Sequence, residues 1–212
     1  MTSIWNYNLV RREKHQLLSE STMKYIISGT NRKDSRSYDL SVLIQKMYSE
    51  KSEKIEIIDL KDVGINELDE THYGSPKPKK MSETLEKINR ADGLVFVVPE
   101  YNGSLPGVLK YFIDHWKYPD SFEFRPVCFV GLGGMFGGLR AVEQLQMILG
   151  YRNAFIYPER IFMTNVWNIF KDGKITDPVV LDLLEKQIQG FQKFTLALSS
   201  NKLDANSVVR KK

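Results

Sequence analysis

Between residues 28 and 37 the chain gathers hydroxyls and guanidinium groups as an anion site would require. The run Ser28-Gly29-Thr30-Asn31-Arg32-Lys33-Asp34-Ser35-Arg36-Ser37 holds a turn glycine, four hydroxyls and two arginines. Such a run at the start of a helix can cradle a phosphate. Backbone N–H groups and the positive helix end supply fixed dipoles, hydroxyls donate, and Arg adds charge. A solvated turn with a helix cap would use the same residues. The run carries neither Gly-x-Gly-x-x-Gly nor the Gly-Lys-Ser/Thr ending of a P-loop, which argues against a dinucleotide Rossmann site and against ATP hydrolysis.

Two further loops carry site chemistry. Pro99-Glu100-Tyr101-Asn102-Gly103-Ser104-Leu105-Pro106-Gly107 is a polar bend whose turn residues let the main chain approach a flat ligand, with amides or Asn102 meeting a heterocycle edge. Gly131-Leu132-Gly133-Gly134-Met135-Phe136-Gly137-Gly138-Leu139-Arg140 places five glycines in its first eight residues, which makes room for a ligand edge or a neighbouring subunit.

The elements that must hold these loops follow from hydrophobic periodicity. Lys24 to Gly29 is a strand that ends in the first loop. Ser35 or Ser37 caps a helix with Leu40, Leu43, Ile44 and Met47 on one face. Lys54 to Leu60 is a second strand, and Lys61 to Lys80, with Gly64, Gly74, Pro76 and Pro78, is a long surface excursion before a helix through Leu85 and Ile88. Leu94-Val95-Phe96-Val97-Val98 is a continuous apolar run that suits a strand covered on both faces. It delivers the second loop, after which Pro106 opens a helix with Leu109, Phe112, Ile113 and Trp116 at helical spacing. Pro126 to Gly131, Leu139 to Leu149 and Asn153 to Tyr157 read as strand, helix and strand. Ile161 to Thr176, with Asp172-Gly173, reads as a hairpin-like excursion, and Asp177 to Leu198 as the last helix. Five strands separated by helices imply an α/β fold with a parallel sheet and helices on both faces. Residues 1–22 are weakly patterned and are expected to be a flexible N-terminal extension. Residues 23–200 are expected to form one folded domain, and residues 201–212 a frayed C-terminal tail.

Composition limits the function classes. A chain of 212 residues, 42% hydrophobic and 26% charged, can bury a substantial core as one domain. The net charge of +4 resides largely in tails and a loop, with no basic stripe interleaved with aromatics, so nucleic-acid binding is not expected. No apolar stretch reaches the roughly 20 residues that a membrane helix needs, and a secretory apolar segment is lacking, so a cytoplasmic protein is expected. Cys128 is the single cysteine and sits in the apolar run Val127-Cys128-Phe129-Val130, where a small buried hydrophobe is the favoured explanation. His15, His72 and His115 offer no pair with metal-ligand spacing, so no metal site is expected.

The residues now support a resemblance. Gly29-Thr30-Asn31-Arg32 followed by Ser35, and then Pro99-Glu100-Tyr101-Asn102-Gly103-Ser104-Leu105-Pro106-Gly107-Val108-Leu109-Lys110 with Ile113-Asp114, resemble the NAD(P)H-dependent FMN reductase family, over roughly Met23 to Leu198. The resemblance implies a flavodoxin-like three-layer sandwich with a five-stranded parallel sheet in the order 2-1-3-4-5. FMN would lie at the switch point between strands one and three, and the assembly would be a homodimer or homotetramer. Carried over by position, Thr30, Arg32, Ser35 and Ser37 would hold the FMN phosphate. Pro99, Glu100, Tyr101, Asn102, Gly103 and Ser104 would line the ribityl chain and ring, and Gly133, Gly134 and Gly137 would face the pyrimidine side. Thr30 stands where many relatives have Ser, Ser37 where Asn is frequent, and Gly103 where an aromatic is common.

The implied chemistry asks little of the protein. FMN carries the reactive atom, N5, so no catalytic acid or base is required. NADPH or NADH would give hydride to the flavin, and a small-molecule acceptor (a flavin, quinone, azo compound or metal oxyanion) would then take the electrons in a ping-pong cycle. Two other classes use the same fold: a flavodoxin-type electron carrier, which the slightly basic composition disfavours, and a non-catalytic flavin-binding sensor. Glu100 is expected to be a loop carboxylate held by amides or a partner rather than a general base. Tyr111, Phe112, Trp116 and Tyr118 are expected to serve the core and subunit contacts.

Overall fold

The computed structural model describes residues 23–65 and 76–209. The expected N-terminal extension, His15, His72, the middle of the Lys61 to Lys80 excursion and the last three residues lie outside the described residues.

In chain order the elements are β1 (Lys24–Ser28), α1 (Arg36–Glu50), β2 (Ile55–Asp59), α2 (Lys79–Arg90), β3 (Gly93–Pro99), α3 (Gly107–Asp114), β4 (Pro126–Leu132), α4 (Leu139–Tyr151) and β5 (Phe155–Met163). They are followed by α5 (Val166–Ile169), β6 (Phe170–Lys171), β7 (Lys174–Ile175), α6 (Pro178–Ser200) and α7 (Ala205–Val208). Five parallel strands pair in the order β2-β1-β3-β4-β5, as the flavodoxin-like expectation requires.

Every residue of β1, β3 and β4 is buried, whereas the edge strands β2 and β5 alternate with more exposed positions. The unbroken apolar run of β3 therefore feeds two cores. Leu94, Phe96 and Val98 face a cluster with Ile88, Leu109, Phe112, Val142 and Leu145, while Val95 and Val97 face one with Leu40, Ile44, Leu184, Ile188 and Phe191. One helical layer is thus α1 with α6, and the other is α2, α3 and α4. Trp116 lies two residues past the end of α3 but remains buried, its ring within 5.8 Å of Phe112 and 5.2 Å of Phe122.

Three boundaries differ from the sequence expectation. β5 does not stop at Tyr157; it continues to Met163. Pro158 cannot donate to a ladder, and β5 accommodates it with a register shift: Val127 pairs with Ile156, but Phe129 pairs with Arg160. Ile161 to Met163 therefore belong to the main sheet, and the expected hairpin shrinks to β6 and β7 around Asp172-Gly173. The chain beyond Asn201 is not frayed as far as Val209. Ala205 is buried, and Asn206 Nδ2 donates to Asp92 Oδ1 at 2.8 Å and to the carbonyl of Arg90 at 3.2 Å. Buried Arg125 completes this clasp by donating to the carbonyls of Ala91, Asn89 and Asp120.

The long helix α6 is started by Asp177, whose Oδ1 accepts from the amides of Val179 at 2.9 Å and Val180 at 3.3 Å, with Pro178 in the first turn. Asp177→Ala is expected to lower the unfolding free energy by about 1 kcal/mol, measured by urea denaturation.

Candidate functional site

The site residues converge because β1 and β3 are neighbours. Ser28 pairs with Val97 in the ladder, and the Gly29 amide donates to the Val97 carbonyl at 2.9 Å, so the loops leaving the two strands start side by side. α1 departs from β1 and α3 from β3 on opposite faces of the sheet, which opens a crevice at this switch point.

The first loop folds around Thr30. Its hydroxyl is 2.9 Å from Tyr101 Oη and accepts from the Arg32 amide at 3.3 Å. Ser35, rather than Ser37, caps α1, its Oγ accepting from the Tyr38 amide at 3.2 Å. Ser37 is buried in the first turn, and its carbonyl accepts from Ser41 Oγ at 2.7 Å. The amides of Asn31, Lys33, Asp34, Ser35, Arg36 and Ser37 have no acceptor among the described residues. Arg32, Lys33 and Arg36 are exposed around them. Spare donors, a helix start and guanidinium charge together suit an oxyanion with several acceptor oxygens.

The second loop is a tight reversal. Tyr101 and Ser104 exchange backbone hydrogen bonds of 2.9 and 3.0 Å, and Asn102 and Gly103 between them have φ of 52° and 74°. Two successive positive φ values define a primed turn, which Asn-Gly adopts at least cost. The turn leaves the amides of Asn102 and Gly103 without acceptors among the described residues. Ser104 Oγ is committed to Gln144 Oε1 at 2.7 Å, and the Leu105 amide donates to the same oxygen at 3.3 Å.

Glu100 fastens this loop to the glycine-rich one. Its carboxylate accepts from the Arg140 amide at 3.2 Å and from the Arg140 guanidinium at 3.0 Å, while the guanidinium stacks over Phe136 at 4.2 Å. The residue before α4, Gly138, offers no side chain to cap the helix, so Glu100 provides the anion at its N-terminus from the loop after β3. The carboxylate is thus held by an amide and a guanidinium of the same chain, not by a base's partner.

The glycines of the third loop separate into two roles. Gly133 and Gly134 are half-buried on the side of Glu100 and Trp167. Gly137, grouped with them in the sequence analysis, is buried. A Cβ there would lie 2.9 Å from the Phe162 carbonyl carbon and from the Thr164 amide, so no side chain fits between this residue and the end of β5. Met135, Phe136 and Trp167 are exposed apolar side chains, and Trp167 lies beside Gly134. Gln144 and Trp167 are not singled out by the sequence, and Arg140 only as the last residue of the third loop, because each acts through a contact dozens of residues away in the chain.

Cys128 is fully buried in the β4 core, and desolvation raises its thiol well above the ordinary range, so it stays protonated. No group of three or more His, Cys, Asp and Glu that could hold a metal occurs among the described residues. Nor is any described helix long and apolar enough to cross a membrane.

The profile of a family described as NADPH-dependent FMN reductase matches residues 24–168, which include all three loops. The chain belongs to that family. Membership makes it an oxidoreductase of the FMN- and NAD(P)H-using class. An NAD(P)H-dependent FMN reductase of Pseudomonas aeruginosa is 31% identical over 141 residues, covering 64% of this chain and 76% of the relative. A quinone reductase of Escherichia coli is 36% identical over 124 residues, covering 55% and 65%. Among solved structures, the flavoenzyme FerB of Paracoccus denitrificans, an NAD(P)H:(acceptor) oxidoreductase, superposes with a TM-score of 0.69 at 22% identity, over 84% of this chain and 98% of FerB. That likeness concerns the fold.

If Glu100 serves as the anion at the start of α4, Glu100→Ala should lower the unfolding free energy by about 1 kcal/mol in chemical denaturation. Glu100→Asp is too short to reach both donors and should fall between the two.

Proposed function

We propose that this family member binds FMN across the β1–α1 and β3–α3 loops and passes reducing equivalents from NADPH or NADH to a small-molecule acceptor in a ping-pong cycle. The observation that carries this reading is the adjacency, at the β1/β3 switch point, of two loops rich in backbone amides that have no acceptor among the described residues. Thr30, Arg32, Ser35 and Ser37, with the start of α1, fit a phosphate monoester: two of the hydroxyls are tied into the loop's own hydrogen bonds, and the amides and guanidinium charge face outward. Pro99, Glu100, Tyr101 and Ser104 contribute through the loop's backbone path, because the Glu100 and Ser104 side chains are committed to Arg140 and Gln144.

When bound, FMN supplies the atom that accepts hydride and later releases electrons. The chain's own work is to bind and orient. The amides of Asn102 and Gly103 are fixed donors for the flavin edge on which negative charge develops during reduction, and they need no reorganisation as it does. Gly133 and Gly134 give that edge room. Exposed Trp167, beside Gly134, with exposed Met135 and Phe136 in the same loop as that glycine, offers apolar surface suited to a planar nicotinamide or acceptor ring. Relatives named as quinone reductase and FMN-dependent NADPH-azoreductase support quinones and azo compounds as acceptors, with flavins and metal oxyanions as the wider class.

We also propose a homodimer. The outer faces of α3 and α4 border a groove of about 520 Å³ lined by Ile113, Trp116, Tyr118, Met147, Ile148 and Tyr151, with Met147 68% and Tyr151 78% exposed. The groove also carries Lys110, Asp114 and Arg152, both signs of charge, which suits a self-complementary pairing of two copies. A homotetramer would be two such dimers.

Purified protein should be yellow, and anaerobic NADPH or NADH should bleach the flavin band. A yellow protein that neither donor bleaches would instead be an electron carrier or a sensor. Arg32→Ala should weaken FMN binding about tenfold by fluorescence quenching, and unchanged affinity would contradict the phosphate assignment. Light scattering should give a dimer mass for the wild type and a monomer mass for Met147→Glu combined with Tyr151→Glu. A monomeric wild type would overturn the pairing.

A further inference from the structure

We infer that Tyr101 is a positioning residue that aims the proton of Thr30 at the phosphate of FMN. The inference rests on the FMN-binding reading above. Thr30 Oγ1 is buried, lies 2.9 Å from Tyr101 Oη, and accepts from the Arg32 amide at 3.3 Å. A hydroxyl has one proton and two lone pairs, and the Arg32 N–H can only donate, so it occupies one lone pair. The contact with Tyr101 then has two arrangements.

In one, Thr30 donates to Tyr101. Its only proton is spent inside the loop, and the phenol must send its own proton elsewhere. In the other, Tyr101 donates to Thr30. Both Thr30 lone pairs are then filled, and its O–H remains a donor for which the described residues provide no acceptor. A phenol is a stronger hydrogen-bond donor than an aliphatic alcohol, which favours the second arrangement. That arrangement leaves a buried hydroxyl proton inside a loop whose backbone amides also lack acceptors, so donors converge where an anion would sit. Tyr101 itself stands at the start of the Asn102-Gly103 turn, 71 residues away in sequence. The same bond therefore fixes the spacing between the part of the crevice that takes the phosphate and the part that takes the ring.

The test compares FMN with riboflavin, which has the same ring and no phosphate, by fluorescence titration of the apoprotein. Tyr101→Phe keeps the ring and removes only the hydroxyl. It should raise the FMN dissociation constant about fivefold to tenfold while leaving that of riboflavin within about twofold. Thr30→Val should lose FMN affinity by at least as much, and Thr30→Ser should restore it. Adding Tyr101→Phe to Thr30→Val should cause no further loss, because the hydroxyl that Tyr101 aims is gone. Unchanged FMN affinity in Tyr101→Phe, equal losses for FMN and riboflavin, or additive losses in the double variant would each overturn the inference. A wild type that binds neither flavin would overturn the FMN reading itself, a result distinct from any of these.

Discussion

The parallel pairing of β1 with β3 is the constraint from which the rest of the site follows. Nothing in the local sequence of either strand specifies the other as its neighbour, yet the ladder from Lys24–Gly93 to Ser28–Val97 sets two loops side by side. In an open parallel sheet each strand hands its chain to a helix on one face or the other, and at this pair the hand-over goes to opposite faces. The crevice results from topology, and residue types only decide what fits it.

Full burial of β1, β3 and β4 leaves the middle of the sheet apolar. Polar groups capable of binding are confined to the carboxyl ends of the strands, where the backbone escapes the ladder and its N–H groups lose their partners. Cys128 illustrates the opposite outcome: the same burial that makes β4 a good strand keeps its thiol protonated and inert.

Free loops would not hold amides in fixed directions, and here each loop is fastened by a side chain from elsewhere. Glu100 joins the end of β3 to the start of α4, Gln144 receives both Ser104 and Leu105, and Thr30 meets Tyr101 across the crevice. These contacts divide the motif into side chains that fasten and backbone groups that stay free. They explain why a conspicuous carboxylate such as Glu100 is structural in its geometry. Preorganised donors of this kind cost no rearrangement when charge arrives, which is what a flavin that gains and loses electrons requires of its surroundings.

The five strands, the helices between them, the three loops at the strand ends and the family resemblance can all be read from the amino-acid sequence. Strand and helix periods, caps and turn residues act within a window of a few residues, and burial on both faces is written directly in a run such as Leu94 to Val98. Asn102-Gly103 likewise announced its own turn. Contacts that join separate windows come only with the folded chain. The continuation of β5 past Pro158 depended on β4 being there to pair with it, and the docking of Asn206 depended on the open end of β3 at Asp92. The division of labour between Gly137 and Gly133 depended on which of them the end of β5 would touch. Arg140, Gln144 and the Tyr101 bond to Thr30 join residues 40 to 71 positions apart, and no local pattern records such a contact, because its energy exists only after the sheet has brought the two ends together.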